Sequence, residues 1–184
     1  PDICAMRVGK TYYMSSTTMH LSPGLPIMKS RDLVNWRIIG YAYDTLGDND
    51  ALTLRNGKNA YGAGSWASSL RHHHGTFYVT TFSSTTGKTH VFRTQDIEKG
   101  PWTENSFSPS LHDNTLFFDD DGRVYMLYGG GDLRHVPLDV AALEAADLRD
   151  TLRISRAALG KFHDEIVAQD ALGAHQPLRD RRLC

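Results

Sequence analysis

Two short patterns recur along this chain, and an internal repeat restricts a fold more than any other feature of a sequence. The first joins a glycine turn to a strand. Gly9-Lys10-Thr11-Tyr12-Tyr13-Met14, Gly75-Thr76-Phe77-Tyr78-Val79 and Gly122-Arg123-Val124-Tyr125-Met126 each read as glycine, a polar or small residue, then aromatic and β-branched positions. The second pattern follows the first. Lys29-Ser30-Arg31-Asp32-Leu33-Val34-Asn35-Trp36 is echoed by Phe92-Arg93-Thr94-Gln95-Asp96-Ile97-Glu98-Lys99-Gly100-Pro101-Trp102, each a hydroxyl residue, one spacer, Asp, an aliphatic residue and a Trp shortly after. An Asp so placed accepts bonds from nearby backbone N–H groups, and the Trp packs back on the sheet. The repeating unit is therefore strand, hairpin, strand, Asp turn, Trp, strand.

With its insertions the unit spans about 40 to 65 residues, the period of a propeller blade built from four antiparallel strands. In Leu116-Phe117-Phe118 and Val124-Tyr125-Met126-Leu127-Tyr128 both alternating faces are apolar, so both faces of the sheet must be covered. Blades stacked face to face do this. The expected fold is all-β, a β-propeller of which this chain holds about three blades, near 1–45, 64–108 and 113–138. Between the first two, Asp44 to Gly64 is rich in Asp, Asn and Gly and reads as a long surface loop of the kind that lines the mouth of a site. From residue 139 the texture changes. Ala/Leu-rich sequence with apolar residues at 140, 143 and 148, then an Arg- and His-rich end, predicts an irregular or helical tail, either a native cap or a frame-shifted terminus.

The chain has 184 residues, 40% of them hydrophobic, enough for a sizeable core, and a formal net charge of −1. That balance gives no electrostatic footprint for nucleic acid or an anionic membrane, so neither is an expected partner. No apolar run reaches the roughly 18 residues of a membrane span, and the N-terminus lacks a signal core; nothing in the chain gives its localisation. Pro1, followed at once by strand-like residues, reads as the interior of a longer protein. Cys4 and Cys184 exclude a disulfide framework but not a single bridge, and Cys4 reads as a small buried hydrophobe.

Several residues could carry chemistry. Asp119, Asp120 and Asp121 before Gly122 read as a structural turn. Asp113, alone at the entrance of a strand, reads either as a cap or as a site residue. His72-His73-His74 reads as a polar hairpin turn, because neighbouring strand positions face opposite ways and cannot converge on one ion. Gly129-Gly130-Gly131 lacks the context of a nucleotide loop and reads as a wide turn or a close backbone approach. Trp66 opens an inner strand behind a Gly-rich lead, either as core or as a sugar-stacking platform.

Four ordered stretches within residues 1–138 resemble the β-xylosidase and α-L-arabinofuranosidase group of glycoside hydrolase family 43, whose fold is a five-bladed propeller. They are Pro1-Asp2-Ile3-Cys4 with Arg7-Val8-Gly9 and Tyr12-Tyr13; Ser22-Pro23-Gly24-Leu25-Pro26-Ile27 with Ser30 to Trp36; Trp66-Ala67 with Leu70-Arg71 and Gly75 to Val79; and Asp113 with Leu116-Phe117 and Asp119 to Gly122. The resemblance implies an inverting hydrolase of β-1,4-xylosyl or α-L-arabinofuranosyl linkages in plant cell-wall polysaccharide, with xylo- or arabino-oligosaccharides as substrate. Its members use a general base, a general acid, and an Asp that orients the acid and raises its pKa. Asp113 matches the third. The base is the Asp before the proline that matches Pro1, one residue outside this chain; the acid is a Glu followed by Gly, a context that neither Glu144 nor Glu165 has.

The expectation is therefore a fragment without turnover of its own, with Asp2 as the only substitute base at hand. Asp2 stands against the alternation of strand side chains. The resemblance also places Trp66 near the cleaved sugar and Met19 and His20 in the loop that walls the pocket. It implies no cofactor beyond a calcium ion on the axis of the full-length parent. Two further expectations differ in class: a carbohydrate-binding propeller without catalysis, and a fragment that self-associates through an open blade edge.

Overall fold

A computed structural model of the protein describes residues 2–139, so that, its first residue excepted, the tail expected over 139–184 lies outside the described residues. The described chain is all-β. Two sheets have four strands and the third has three, all antiparallel: β1 (Ile3–Val8), β2 (Thr11–Ser16), β3 (Gly24–Ser30) and β4 (Arg37–Tyr43); β5 (Ser69–His73), β6 (Thr76–Ser83), β7 (Lys88–Thr94) and β8 (Thr103–Phe107); and β9 (Thr115–Phe118), β10 (Val124–Tyr128) and β11 (Arg134–Leu138). Strand order within each sheet follows chain order, the meander of a propeller blade.

The first strands of the three sheets lie side by side, β1 against β5 and β5 against β9. Their contacts are not ladder bonds. The Leu70 N–H donates to Cys4 Sγ at 3.3 Å, and the Ser69 and Thr115 hydroxyls bond to each other. Cys4, expected to be buried, is half-buried; it packs against the core, and its sulfur accepts from the backbone of the next sheet and from Arg71 at 3.5 Å. The sheets thus share an inner edge and fan outward from it.

Each hairpin at the foot of an inner strand needs a residue at positive φ. Gly9 (60°), His74 with Gly75 (46° and 79°) and Gly122 (84°) supply it, which explains the glycine that opens the first repeat. The histidine run divides differently from the expected turn. His72 and His73 are strand residues of β5 and only His74 enters the turn. The imidazoles of the two strand residues diverge: His72 packs on Phe77 with ring centroids 4.5 Å apart, and His73 stacks on Phe118 at 4.2 Å, while the His74 ring lies edge-on to His73 at 3.9 Å.

The core lies between the first and second sheets, where Tyr13, Leu25, Ile27, Tyr43, Leu70, Phe77, Val79 and Phe92 are buried. As the middle sheet is covered on both faces, β6 is buried at every position from Phe77 to Ser83. The long 44–64 connection runs over the surface but is not loose, since Leu46, Leu52 and Ala60 are buried in the same core.

The second repeat is an Asp turn in both copies. Asp32 Oδ1 accepts the backbone N–H of Val34 (3.0 Å) and Asn35 (2.8 Å), and Asp96 Oδ1 accepts those of Glu98 (3.0 Å) and Lys99 (3.1 Å). Bonds from the Asn35 side chain, then from the Asn35 and Val34 N–H groups and the Ser30 hydroxyl, hold the Asp32 carboxyl far below the usual carboxylate range. A depressed folded-state pKa stabilises the turn above the unfolded value of about 3.9, and the contribution fades as pH falls through the folded value. The stability difference between the wild type and Asp32→Ala should therefore narrow in acid. Denaturant melts from pH 7 to 2 test this, and a difference independent of pH would show that charge at Asp32 does not matter.

Candidate functional site

Strand direction sorts the chain's polar residues onto two ends. Because Ile3 pairs with Ser16, the β2–β3 connection stands at the end where β1 begins, and the β6–β7 and β10–β11 connections share that end by the same logic. The glycine hairpins occupy the other end. At the first end stand the lead-ins to all three inner strands: Asp2 ahead of Ile3, Trp66 ahead of Ser69 and Asp113 ahead of Thr115. The lead-in segment of each of the three blades, at one to three residues before its inner strand, thus carries one of the residues singled out from the sequence.

Trp66 does not open a strand, as the sequence suggested, but stands three residues before β5. Its backbone is clamped by the end of β6: its N–H donates to Phe82 O at 3.0 Å and its carbonyl accepts from the Thr81 hydroxyl at 2.8 Å. The side chain is 36% exposed, with the indole tilted against Phe82 (5.8 Å) and His112 (6.3 Å). A fixed backbone below an aromatic face half open to solvent is the build of a platform.

Asp113 lies in a turn at φ 49°, a left-handed conformation that Asp tolerates better than most residues. The turn is held from several sides. Leu111 N–H donates to Thr89 Oγ1 (2.8 Å), Asn114 Nδ2 to Leu111 O (2.8 Å), the Thr80 hydroxyl to Asn114 O (3.2 Å) and Gly129 N–H to His112 O (2.8 Å). So braced, the Asp113 side chain is free of structural duty. It is exposed, and its contact is with His112, Nδ1 to Oδ2 at 3.2 Å, and not with the strand's N–H groups as a cap would require.

His112 links Asp113 to Trp66, and Gly130 lies against its ring, where a Cβ would stand 3.4 Å from Nδ1. The sequence reading gave His112 no role, and only its place next to Asp113 signals one. The glycine run is a wide turn between β10 and β11. Gly129 sits at φ 135°, and a Cβ there would come 2.5 Å from Asp132 O.

Met19 and His20 reach the same end on the β2–β3 connection. Ser65 N–H donates to Met19 O at 2.9 Å, which ties that connection to the residue before Trp66. The approach is so close that a Cβ on Gly64 would lie 1.9 Å from Met19 O and 2.9 Å from His20 Cα. Below this junction the Tyr43 hydroxyl donates to Ser65 Oγ at 2.8 Å. His20 packs its ring on Tyr61, and its Nδ1 is buried without a hydrogen-bond partner among the described residues. Met19, His20, Trp66, His112 and Asp113 therefore stand at one mouth, while Asp2 is exposed beside it on the lead-in to β1. Calcium requires about six to eight oxygen ligands. Among the described residues no three His, Cys, Asp or Glu side chains converge.

The chain has relatives among known proteins. The profile of Glycosyl hydrolases family 43 matches residues 1–158. A beta-xylosidase of Formosa agariphila is 36% identical over 125 residues, 66% of this chain and 21% of that protein. A non-reducing end alpha-L-arabinofuranosidase of Bacteroides ovatus is 33% identical over 129 residues, 69% of this chain and 23% of that protein. Among solved structures, a bifunctional GH43-CE protein of Bacteroides eggerthii is 56% identical with a TM-score of 0.74, covering 77% of this chain and 18% of its own. The chain thus spans about a fifth of the length of the curated relatives it matches.

Proposed function

The chain belongs to family 43 of the glycosyl hydrolases, and we propose that the protein containing it hydrolyses terminal β-1,4-xylosyl or α-L-arabinofuranosyl linkages of plant cell-wall polysaccharide with inversion. The observation that carries this reading is Asp113: an exposed carboxylate on a turn braced from β6, β7 and the β10–β11 turn, joined through His112 to the half-exposed indole of Trp66. A sugar lying over Trp66 would bring its reacting bond to the carboxylate side of the mouth. The named activities of the relatives from Formosa and Bacteroides ovatus agree with this substrate class.

Inversion needs one carboxylate to activate water and one carboxylic acid to protonate the leaving oxygen, on the order of 6.5–9.5 Å apart so that the water fits between them. Asp113 does neither in this reading. Its negative charge disfavours ionisation of the neighbouring acid and so keeps that acid protonated near neutral pH, and its oxygens hold the acid in place. Trp66 supplies the apolar face on which the cleaved sugar rests, with Met19 and His20 walling it. Asp113 thus serves partners that Asp2 alone does not replace, and the 184 residues by themselves are expected to give no turnover.

Assays with aryl β-xyloside and aryl α-L-arabinofuranoside on the full-length protein test the reading. Hydrolysis of at least one, with inverted stereochemistry at the anomeric carbon by NMR, is expected. Inactivity on both, together with retained binding of xylo-oligosaccharides in a calorimetric titration, would instead make the protein a carbohydrate-binding propeller.

A further inference from the structure

Tyr61 is 80% exposed, an unusual state for an aromatic side chain and more than for any other exposed aromatic among the described residues. Its exposure is built in. Ala63 N–H donates to Ala60 O at 2.8 Å, which closes a turn with Tyr61 and Gly62 at its centre, and Gly62 supplies the positive φ (68°) that such a turn demands. Asn59 Oδ1 accepts the Tyr61 N–H at 3.1 Å, and Ala60 is buried beneath the turn. The Ser83 hydroxyl at 3.3 Å and the Thr85 hydroxyl both donate to Ala63 O, so the turn is tied to the end of β6. A loop fastened at this many points does not leave a tyrosine in water for want of somewhere to put it.

One face of the ring is already used. His20 packs against it with centroids 4.8 Å apart and planes at 49°, and His20 Cα lies at the close approach to Gly64. Burying the His20 Nδ1 without a partner among the described residues is unfavourable and needs an explanation wherever it is met. Propping Tyr61 upright beside the mouth supplies one. The rest of the Tyr61 ring faces solvent, with a polar hydroxyl at its tip.

Position tells what the ring is for. Trp66 leads into β5, an innermost strand; Tyr61 lies on the 44–64 connection that precedes it, and its ring rests on His20 of the β2–β3 connection at the same mouth. A sugar resting on Trp66 leaves the remainder of the substrate to run out of the mouth, where the exposed Tyr61 ring stands beside His20. We propose that Tyr61 is a specificity-determining residue that stacks on the second sugar of the substrate, the one on the leaving-group side of the cleaved bond, with His20 as its brace. This rests on the glycosidase reading above and deepens it. The ligand class is a neutral pentose or hexose ring, whose C–H face suits the aromatic face and whose hydroxyls suit the phenol. Tyrosine gives such contact at low entropic cost because only two torsions need be fixed.

The experiment compares two substrates in the full-length protein. A pentosyl fluoride has a single-atom leaving group and cannot reach Tyr61; the matching pentotriose can. Tyr61→Ala is expected to lower kcat/KM on the trisaccharide about tenfold, chiefly through KM, and to leave the fluoride within about twofold. Tyr61→Phe, which keeps the ring, should restore most of the loss. Equal loss on both substrates would place Tyr61 at the cleaved sugar, and no loss on the trisaccharide would place it outside the site. Either result overturns the proposal. A wild type inactive on both substrates overturns the glycosidase reading instead, and calorimetric titration of the trisaccharide into wild type and Tyr61→Ala then decides on Tyr61: equal affinities, or no binding by either, reject it.

Discussion

If the full-length protein is the proposed glycosidase, replacing its Asp113 by Asn should lower kcat by about 10²–10⁴-fold, the range in which a positioned acid or base acts, with KM changed far less. The substitution keeps the side chain's shape and removes its charge. The braced turn should survive it, since the turn's bonds come from Thr89, Asn114, Thr80 and Gly129 and not from the carboxylate. The pH profile separates a functional from a structural role. If Asp113 keeps the general acid protonated, its neutralisation lets that acid ionise more readily, and the alkaline limb of kcat/KM moves to lower pH by on the order of one unit. A rate loss with an unmoved alkaline limb would show that Asp113 acts only by position. An unchanged rate would remove it from the site altogether.

The second large effect is expected at Gly64. Alanine there sets a methyl group 1.9 Å from Met19 O and 2.9 Å from His20 Cα, against backbone that has no free rotamer to yield. The Met19–Ser65 pairing and the hydrogen bond that closes it must open. A cost of about 3 kcal/mol in stability is expected, the upper part of the overpacking range. Substrate affinity should fall with it, because the wall carrying Met19 and His20 is displaced from Trp66. Gly40→Ala is the control: a Cβ at Gly40 meets nothing within 4 Å, and its effect should stay within about 0.5 kcal/mol. Equal melts for the two variants would mean that the two connections move apart at no cost.

The parts of this fold legible in the sequence were those set by short-range chemistry. Glycine at positive φ and an Asp that collects backbone N–H groups are local devices, and both appear where the repeats put them, at Gly9, Gly75 and Gly122 and at Asp32 and Asp96. Two-sided burial was expected at 116–118 and 124–128, but there only Leu116, Val124 and Met126 are buried while Phe117 on the other face is 47% exposed; the strand covered on both faces is β6, in the middle sheet. What could not be read was what the blades do to one another. Cys4 looked like core because its neighbours are apolar, but its sulfur is engaged by the next sheet. His112 has no local signature, for its contacts with Trp66 and Gly130 join segments far apart in the chain. The same is true of Tyr61, whose loop was recognisable as mouth-lining while its brace, His20, lies 41 positions earlier in the numbering.

The lead-ins to β1, β5 and β9 bring Asp2, Trp66 and Asp113 to one rim, each on its own sheet and each backed by its own hydrogen bonds or by solvent. Such a rim is modular in part, in the genetic sense. A change in the Asp2 lead-in alters one segment of the wall without touching the other two, whereas Trp66 and Asp113, which share His112, should couple when mutated together. A scaffold of this kind lets selection retune the first blade's part of the rim alone, while the other two change together.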